Sequence, residues 1–453
     1  MPMWVWWLLI VVAVVATPGL LRVLHARAPR AGLDFNIIDD AIHHLDTEDE
    51  PWTVFMEVRV SGAIDEAKLR DAVRVAMGRH AMARAYQKRW RPWQTVYEWG
   101  VVEEVAVDPV RVTDAERDAG ARFLSTRVPL DAAPPFRIQL ARAPDGDRIL
   151  LCFNHAASDG VGTLRFLTSI ARAYSGRPDE VDPVEDLAMR DLAKNTEPRT
   201  WMERWRRLTM LRRALLDAVI APPARIATAR AGGAPGFGCV RRVISSDVVA
   251  SKPSGATVND LLLGALHVAI QRWNAAHALE TARIGTMMPV NVRPRERWNE
   301  AVGNIVYFVS VSTSVEERAD LASTVGAIAK QTREVKEQGT AAALREILFA
   351  SPTLLVEVKR KLPALLPLGG ERFVDTAVLS NVGRVDATLV FGELGAATEL
   401  WFSPPCRMPL GLAMGASTYE GRLFLTFRYR HALWNEEAAE QFADLYQSVL
   451  TSS

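Results

Sequence analysis

Cysteine is scarce in this chain. Its 453 residues hold three, Cys152, Cys239 and Cys406, far apart and odd in number, which fits neither a disulfide framework nor a zinc site. A reducing compartment is expected, and Cys152, alternating within an apolar strand, reads as core packing rather than as a nucleophile. An excess of one charge is missing too. Lys plus Arg number 54 against 53 Asp plus Glu, so no global field recruits nucleic acid, and no nucleic-acid motif offsets that. The chain has no Gly-x-Ser-x-Gly elbow, which removes the serine nucleophile such an elbow presents. Nothing in it calls for a metal.

What is present is apolar surface and length. With 49% hydrophobic residues over this length, the chain can bury a large core, and it exceeds the usual size of one compact domain. Two subdomains are expected. Trp4 to Leu21 carries no charged side chain and, with its apolar flanks, approaches the roughly 20 residues that span a bilayer. Arg22, Arg27 and Arg30 come after it rather than before it, which argues against a cleaved signal peptide and puts the remainder on the cytoplasmic side. Trp4, Trp6 and Trp7 suit an aromatic belt at the far interface. The competing reading is a buried N-terminal helix ended by Pro18-Gly19.

The most informative stretch runs from Arg148 to Leu167. Ile149 to Phe153 is an apolar run of strand length that stops at Asn154 and His155. Asp159 and Gly160 come next, and then Val161, Leu164, Leu167 and Ile170 recur at helical spacing. The pattern His155-x-x-x-Asp159-Gly160 thus falls on a loop between a buried strand and a helix. His155 has the side chain that can take a proton near neutral pH and return it. It is the natural general base. The structural alternative is a satisfied core histidine with Asp159 as an ordinary helix cap.

Elsewhere the periodicities predict helices near Ile37 to Leu45, Ile64 to His80, Ala115 to Thr126, Leu321 to Lys336, Leu344 to Lys361 and Asn435 to Leu450. Strands are expected at Trp52 to Val60, within Gln94 to Val107, and at Phe136 to Ala141, Cys239 to Ile244, Ile284 to Val290, Ile305 to Val311 and Thr376 to Asn381, with two more around Glu420-Gly421. Thr257-Val-Asn-Asp260 reads as a capping box opening a helix. Met189 to Arg230 gathers ten basic residues, and Trp201, Trp205, Leu208, Leu211, Leu215 and Val219 fall at helical spacing among them. Such a helix either lies on anionic lipid or packs as a linker with a solvated face. The divisions expected are 1–30 as membrane anchor, 31–184 as the first subdomain, 185–235 as a basic crossing linker and 236–453 as the second.

Three separated pieces share a family pattern: Asn154-His155-x-x-x-Asp159-Gly160, Asn291-Val-Arg293-Pro294 followed by Gly303-Asn304, and Leu379-Ser380-Asn381-Val382-Gly383. In this order and spacing they resemble the CoA-dependent acyltransferase superfamily of condensation domains and plant alcohol acyltransferases. The nearest branch resembles the bacterial wax ester synthase/diacylglycerol O-acyltransferase family, where Thr257-Val-Asn-Asp-Leu-Leu-Leu also has a counterpart. That family's motif carries two consecutive histidines, and here Asn154 takes the place of the first. Its Ser-Asn-Val run continues into Pro-Gly-Pro, and here Val382-Gly383-Arg384 stands instead.

The resemblance implies an α/β fold of two chloramphenicol-acetyltransferase-like subdomains, each a mixed sheet with helices, with an active-site tunnel between them. It implies that His155 is the base, that Asp159 points away from substrate and pairs with Arg293, and that Gly160 leaves room where a Cβ would intrude. Asn381 or its neighbouring backbone is the candidate oxyanion donor, with Ser380 second. No bound cofactor is implied. Acyl-CoA is the co-substrate and a hydrophobic or lipid alcohol the acceptor, giving a membrane-attached O-acyltransferase. The alternatives are a carrier-protein-bound acyl donor, as in condensation domains, and a catalytically silent acyl-binding scaffold.

Overall fold

The structure is a computed structural model that describes residues 33–114, 123–179, 187–190, 202, 220–232, 235–294, 297, 300–338, 355–361, 374–385 and 389–452. The expected anchor at Trp4 to Leu21 and nearly all of the basic amphipathic stretch Trp201 to Val219 lie outside these residues, as does most of Leu344 to Lys361. Among the described residues no helix is long and apolar enough to cross a membrane.

Two mixed sheets carry the fold. The first is built from β1 (Thr53–Arg59), β4 (Val110–Asp114), β5 (Phe136–Arg142) and β6 (Arg148–Asn154), joined by β11 (Glu399–Ser403), in the order β11-β1-β6-β5-β4. The second contains β7 (Phe237–Ser245), β8 (Ile284–Asn291), β9 (Val306–Thr313), β10 (Ala377–Arg384), β12 (Leu412–Tyr419) and β13 (Arg422–Arg430), in the order β7-β13-β12-β10-β8-β9. A separate hairpin pairs β2 (Ala85–Gln87) with β3 (Trp99–Val101). β1 and β6 are buried almost end to end, which explains why they read as apolar runs rather than as half-solvated alternations.

Among the described residues, six helices of nine residues or more cover the sheets: α1 (Ile37–Leu45), α2 (Glu66–Arg79), α3 (Gly160–Tyr174), α4 (Val258–Ala276), α5 (Leu321–Gln338) and α6 (Glu436–Thr451). Their starts are written in the sequence. Asn36 and Asp39 form one capping box, Thr257 and Asp260 another, and Asp65, Asp159 and Asn435 each accept a backbone N–H from the first turn, satisfying donors a helix start leaves open. α2 packs on α3, and α4 lies between α5 and α6.

Several expectations need correction. The segment from Gln94 to Val107 holds one short strand, β3, rather than several, and periodicity reveals neither its partner β2 nor the edge strand β4. The helix expected at Ala115 to Thr126 is not among these corrections: residues 115–122 lie outside the described residues, and Phe123 and Leu124 are helical. β11 has no sequence signal at all, although it joins the two halves: its flanking chain belongs to the second half, yet it pairs antiparallel with β1 of the first. Five residues of Glu-Leu-Trp-Phe-Ser are too short to declare a strand by periodicity alone.

β11 also lies against the second sheet. Ser417 on β12 donates to the Leu400 carbonyl at 2.8 Å, and a Cβ at Gly415 would fall 2.1 Å from the Phe402 carbonyl oxygen and 2.9 Å from Pro404. Gly415 is therefore what lets the crossing strand seat. Gly415→Ala should destabilise the protein by about 1–3 kcal/mol or more, as overpacking against backbone does. Gly326→Ala, on α5 with nothing within 4 Å of the added methyl, should instead be stabilising by about 0.5–1 kcal/mol through helix propensity. Urea unfolding midpoints of the two variants check the pair, and a neutral Gly415→Ala would contradict the packing described.

Candidate active site

His155 comes directly after the last residue of β6. Its backbone N–H donates to the Trp52 carbonyl at 2.9 Å, so the loop is anchored to the residue preceding β1, while the following turn is held by Asn154. The Asn154 side chain accepts from the Ala156 N–H at 3.0 Å and donates to the Val128 carbonyl at 2.8 Å and to Asp46 at 3.3 Å. It is fully buried and does not line the cavity. The residue standing where the family pattern has a first histidine is thus a turn clamp. Asp46 completes it by accepting from the Trp52 N–H and from Arg127, both at 2.9 Å, while burial pushes its carboxyl up.

The His155 ring faces a narrow cavity of about 60 Å³ whose wall draws on both sheets: Trp52, Gly160, Asn291, Phe308, Ser380, Asn381 and Phe402 all contribute. The ring meets Phe308 edge-on, with centroids 6.4 Å apart. Nδ1 is sealed from solvent with no partner on another residue, and Nε2, also unbonded but not sealed, is the nitrogen that faces the cavity. Burial pulls the imidazole below its usual pKa against the opposing pull of its own backbone carbonyl and of Asp159. At neutral pH it is uncharged, the form a base requires.

Asp159 does not touch the ring as an orienting carboxylate. It caps α3 by accepting from Gly162 at 2.8 Å, accepts from the Ile305 N–H at 2.7 Å, and receives Arg293 in a two-pronged contact of 2.9 and 3.0 Å. Arg293 also donates to the carbonyls of Ala301 and Gly303 at 3.1 and 3.0 Å. Both side chains are essentially inaccessible. The expected neighbours at positions 159 and 293 are brought together across the two halves, and the Gly303 region ties in as well, since its carbonyl accepts the Asp159 N–H at 3.1 Å.

The surroundings of Gly160 differ from expectation. A Cβ there would lie 3.0 Å from Phe402 and from Val382, so the space is taken by side chains of the second half rather than left for substrate. Ser380 and Asn381 both line the cavity. The Asn381 carbonyl oxygen of the side chain accepts from the Gly383 N–H at 2.8 Å, fixing the β10 bulge where Gly383 has φ +83°. Asn381 also belongs to the wall of a second, open cavity of about 720 Å³, shared with Ser246, Thr257, Asn259, Arg384 and Glu420. Sequence reasoning does not find Phe308, Phe402 or Trp52, which carry no chemical signature, nor the Asp46–Arg127 support. Among the described residues no cluster could hold a metal ion.

A buried charge stripped of its partner costs about 3–5 kcal/mol, so Asp159→Asn and Arg293→Ala should each lower stability markedly. Because both remove one contact, the double variant should lose clearly less than their sum. Denaturant unfolding of the four proteins gives the coupling energy, and strict additivity would refute the pairing.

No family model matches the chain. Solved structures share the fold: a trichothecene 15-O-acetyltransferase, TRI3, from Fusarium sporotrichioides (TM-score 0.69, 14% identity, 93% of this chain and 95% of that one), and the starter condensation domain of rhizomide synthetase RzmA, a mutant in complex with C8-CoA and Leu-SNAC (TM-score 0.64, 14% identity, 93% and 94%). The epimerization domain of tyrocidine synthetase B aligns as well (TM-score 0.59, 17% identity, 93% and 97%). The two-sheet architecture is therefore that of condensation domains and acyltransferases. In sequence, Uncharacterized protein MT2362 of Mycobacterium tuberculosis strain CDC 1551 / Oshkosh and Uncharacterized protein Rv2305 of strain ATCC 25618 / H37Rv are each 35% identical over 410 residues, 88% of this chain and 94% of theirs. Identity of that degree over nearly the whole length makes this chain a member of the same family as those two mycobacterial proteins.

Proposed function

We propose that this protein is an O-acyltransferase that moves an acyl group from acyl-CoA to the hydroxyl of a hydrophobic or lipid alcohol. The observation that carries the reading is His155: an uncharged imidazole with Nε2 toward a narrow cavity walled by both halves, on a loop braced by Asp159 and Arg293. Two neighbours in fold support the chemistry, one being an O-acetyltransferase and one having been solved with C8-CoA. In the reaction, Nε2 takes the acceptor hydroxyl proton as its oxygen adds to the thioester carbonyl. The tetrahedral oxyanion collapses, the C–S bond breaks, and the imidazolium returns the proton to the leaving thiolate. One histidine serves both steps and no acyl-enzyme is needed.

The lipid acceptor and a place at the membrane are part of the proposal. The apolar stretch Trp4 to Leu21, the arginines after it and the cationic stretch Trp201 to Val219 together would hold the cavity near the cytoplasmic leaflet. A water-soluble acceptor needs no such apparatus.

His155→Ala should lower turnover by about 10²–10⁴ while the fold survives. Since the folded-state pKa is depressed, kcat/KM should fall only on the acid side, with an apparent pKa below 6.5, the usual histidine value. Stability should also decline as pH drops below 6.5, because the unfolded chain then binds the proton that the folded site resists. Radiolabelled long-chain acyl-CoA offered with a panel of soluble and membrane alcohols, with His155→Ala as blank, tests the assignment. Ester formed solely from water-soluble alcohols would refute the lipid acceptor. Ester formed solely when the acyl group rides on a carrier protein would replace acyl-CoA as donor, and no His155-dependent product at all would leave an acyl-binding scaffold. Removing residues 1–30 should spare turnover of detergent-dispersed acceptor and lower it for acceptor in vesicles.

A further inference from the structure

The cavity contains an amide whose donor has nothing to bind. Asn291 is the last residue of β8, and Met287, Pro289 and Asn291 alternate on one face of that strand and all line the cavity that His155 also lines. Its Oδ1 accepts from the backbone N–H of Arg293 at 3.0 Å and from the Arg293 guanidinium at 3.2 Å. These two donors fix the orientation of the amide, since the reverse flip would set NH2 against N–H groups. Nδ2 is left sealed from solvent and without a hydrogen-bond partner. A buried donor in that state costs about 1–3 kcal/mol. Asn291 lines the cavity, but this nitrogen does not open onto it, so an acceptor that displaces the wall at Asn291 on entering would remove the cost.

Asn381 differs in this respect. Its Oδ1 is likewise occupied, by Gly383, but its Nδ2 is not among the sealed, partnerless atoms, and the residue sits where the narrow cavity meets the open one. Water can satisfy it. The Asn291 donor, in contrast, is desolvated, held by a strand, and polarised by the guanidinium on its oxygen, conditions under which a donor stabilises developing negative charge most strongly.

We propose that the Asn291 Nδ2–H is the side-chain donor to the thioester carbonyl oxygen in the acyl-transfer reaction, an inference that rests on the acyltransferase reading above. As the acceptor oxygen bonds to the carbonyl carbon, the carbonyl π pair moves onto oxygen and Asn291 donates to it. No proton is transferred there. When the C–S bond breaks the pair returns to the carbonyl, and the thiolate sulfur takes its proton from His155. Asp159 thereby acquires a part in the chemistry: it holds Arg293, Arg293 holds Oδ1, and the amide is presented donor-first. Asp159 and Arg293 are positioning residues, and Asn291 touches substrate.

The test combines kinetics with a measurement that needs no turnover. Asn291→Ala and the isosteric Asn291→Asp, which swaps the donor for an acceptor, should each lower kcat about 10²–10³-fold with KM for the thioester little changed and the acid limb of the pH profile unmoved. Octanoyl-CoA labelled with ¹³C at the carbonyl, bound to His155→Ala, should show a carbonyl stretch shifted below its position in water, and the shift should vanish in His155→Ala combined with Asn291→Ala. Turnover of Asn291→Ala within threefold of the parent, or a carbonyl band that ignores residue 291, would overturn the assignment while leaving the acyltransferase reading intact. Absence of both saturable thioester binding and His155-dependent turnover would overturn that reading, and this one with it.

Discussion

The buried pair of Asp159 and Arg293 is the constraint on which the site depends. One carboxylate caps α3, receives the Ile305 amide and takes both prongs of a guanidinium, so the first half's His155 loop and the second half's β8–β9 connection are defined by the same group. Such a pair is weak evidence of net stability, because desolvating both ions offsets much of their attraction. Its value lies in geometry. Once buried, neither ion can move without exposing the other, and the loop from His155 to Gly160 inherits that rigidity.

The rest of the His155 neighbourhood is arranged so that no charge reaches the ring directly. Asp159 is turned to Arg293, Asn154 is turned to Val128 and Asp46, and Phe308 and Phe402 supply apolar wall. Burial then dominates the ring's protonation. A carboxylate bonded to Nδ1 would raise the imidazole's pKa and stabilise its charged form. In its absence the ring stays neutral, which suits the proposed role of base and then acid within one turnover.

Local chemistry is legible in the sequence. The capping residues Asp159 and Thr257, the apolar run of β6 and the helical spacing after Gly160 each act within a few residues, and the elements they define are present in the fold. The pieces around His155, Arg293 and Asn381 can be quoted from the chain, but not their geometry. Asn291 is visible there only as the first residue of the Asn291-Val-Arg293-Pro294 piece; that its oxygen is occupied and its nitrogen sealed depends on contacts made after folding. Gly160 reads as space for substrate because its neighbours, Phe402 and Val382, lie more than 200 positions away. β11 escapes for the same reason: a short strand is stabilised by partners, and its partner β1 precedes it by over 300 residues.

The same long-range contacts determine how the cavity can be reached. β11 is hydrogen-bonded to β1 in register from Phe55 with Ser403 to Arg59 with Glu399, while its own chain continues into the second sheet. Arg241 on β7 grips Glu57 on β1 through both carboxylate oxygens. Arg428 on β13, fully buried, donates to the carbonyls of Thr53 and Leu124 in the first half, and burial holds its guanidinium below the usual value. Parting the halves would therefore break a strand pairing and strand several buried charges, each costing about 3–5 kcal/mol. That sum exceeds what substrate binding of ordinary affinity returns, since micromolar affinity is worth about 8 kcal/mol in all. Access must run through openings in the wall while the halves stay joined, and Asn381, common to the narrow cavity and the open one, stands at such a place.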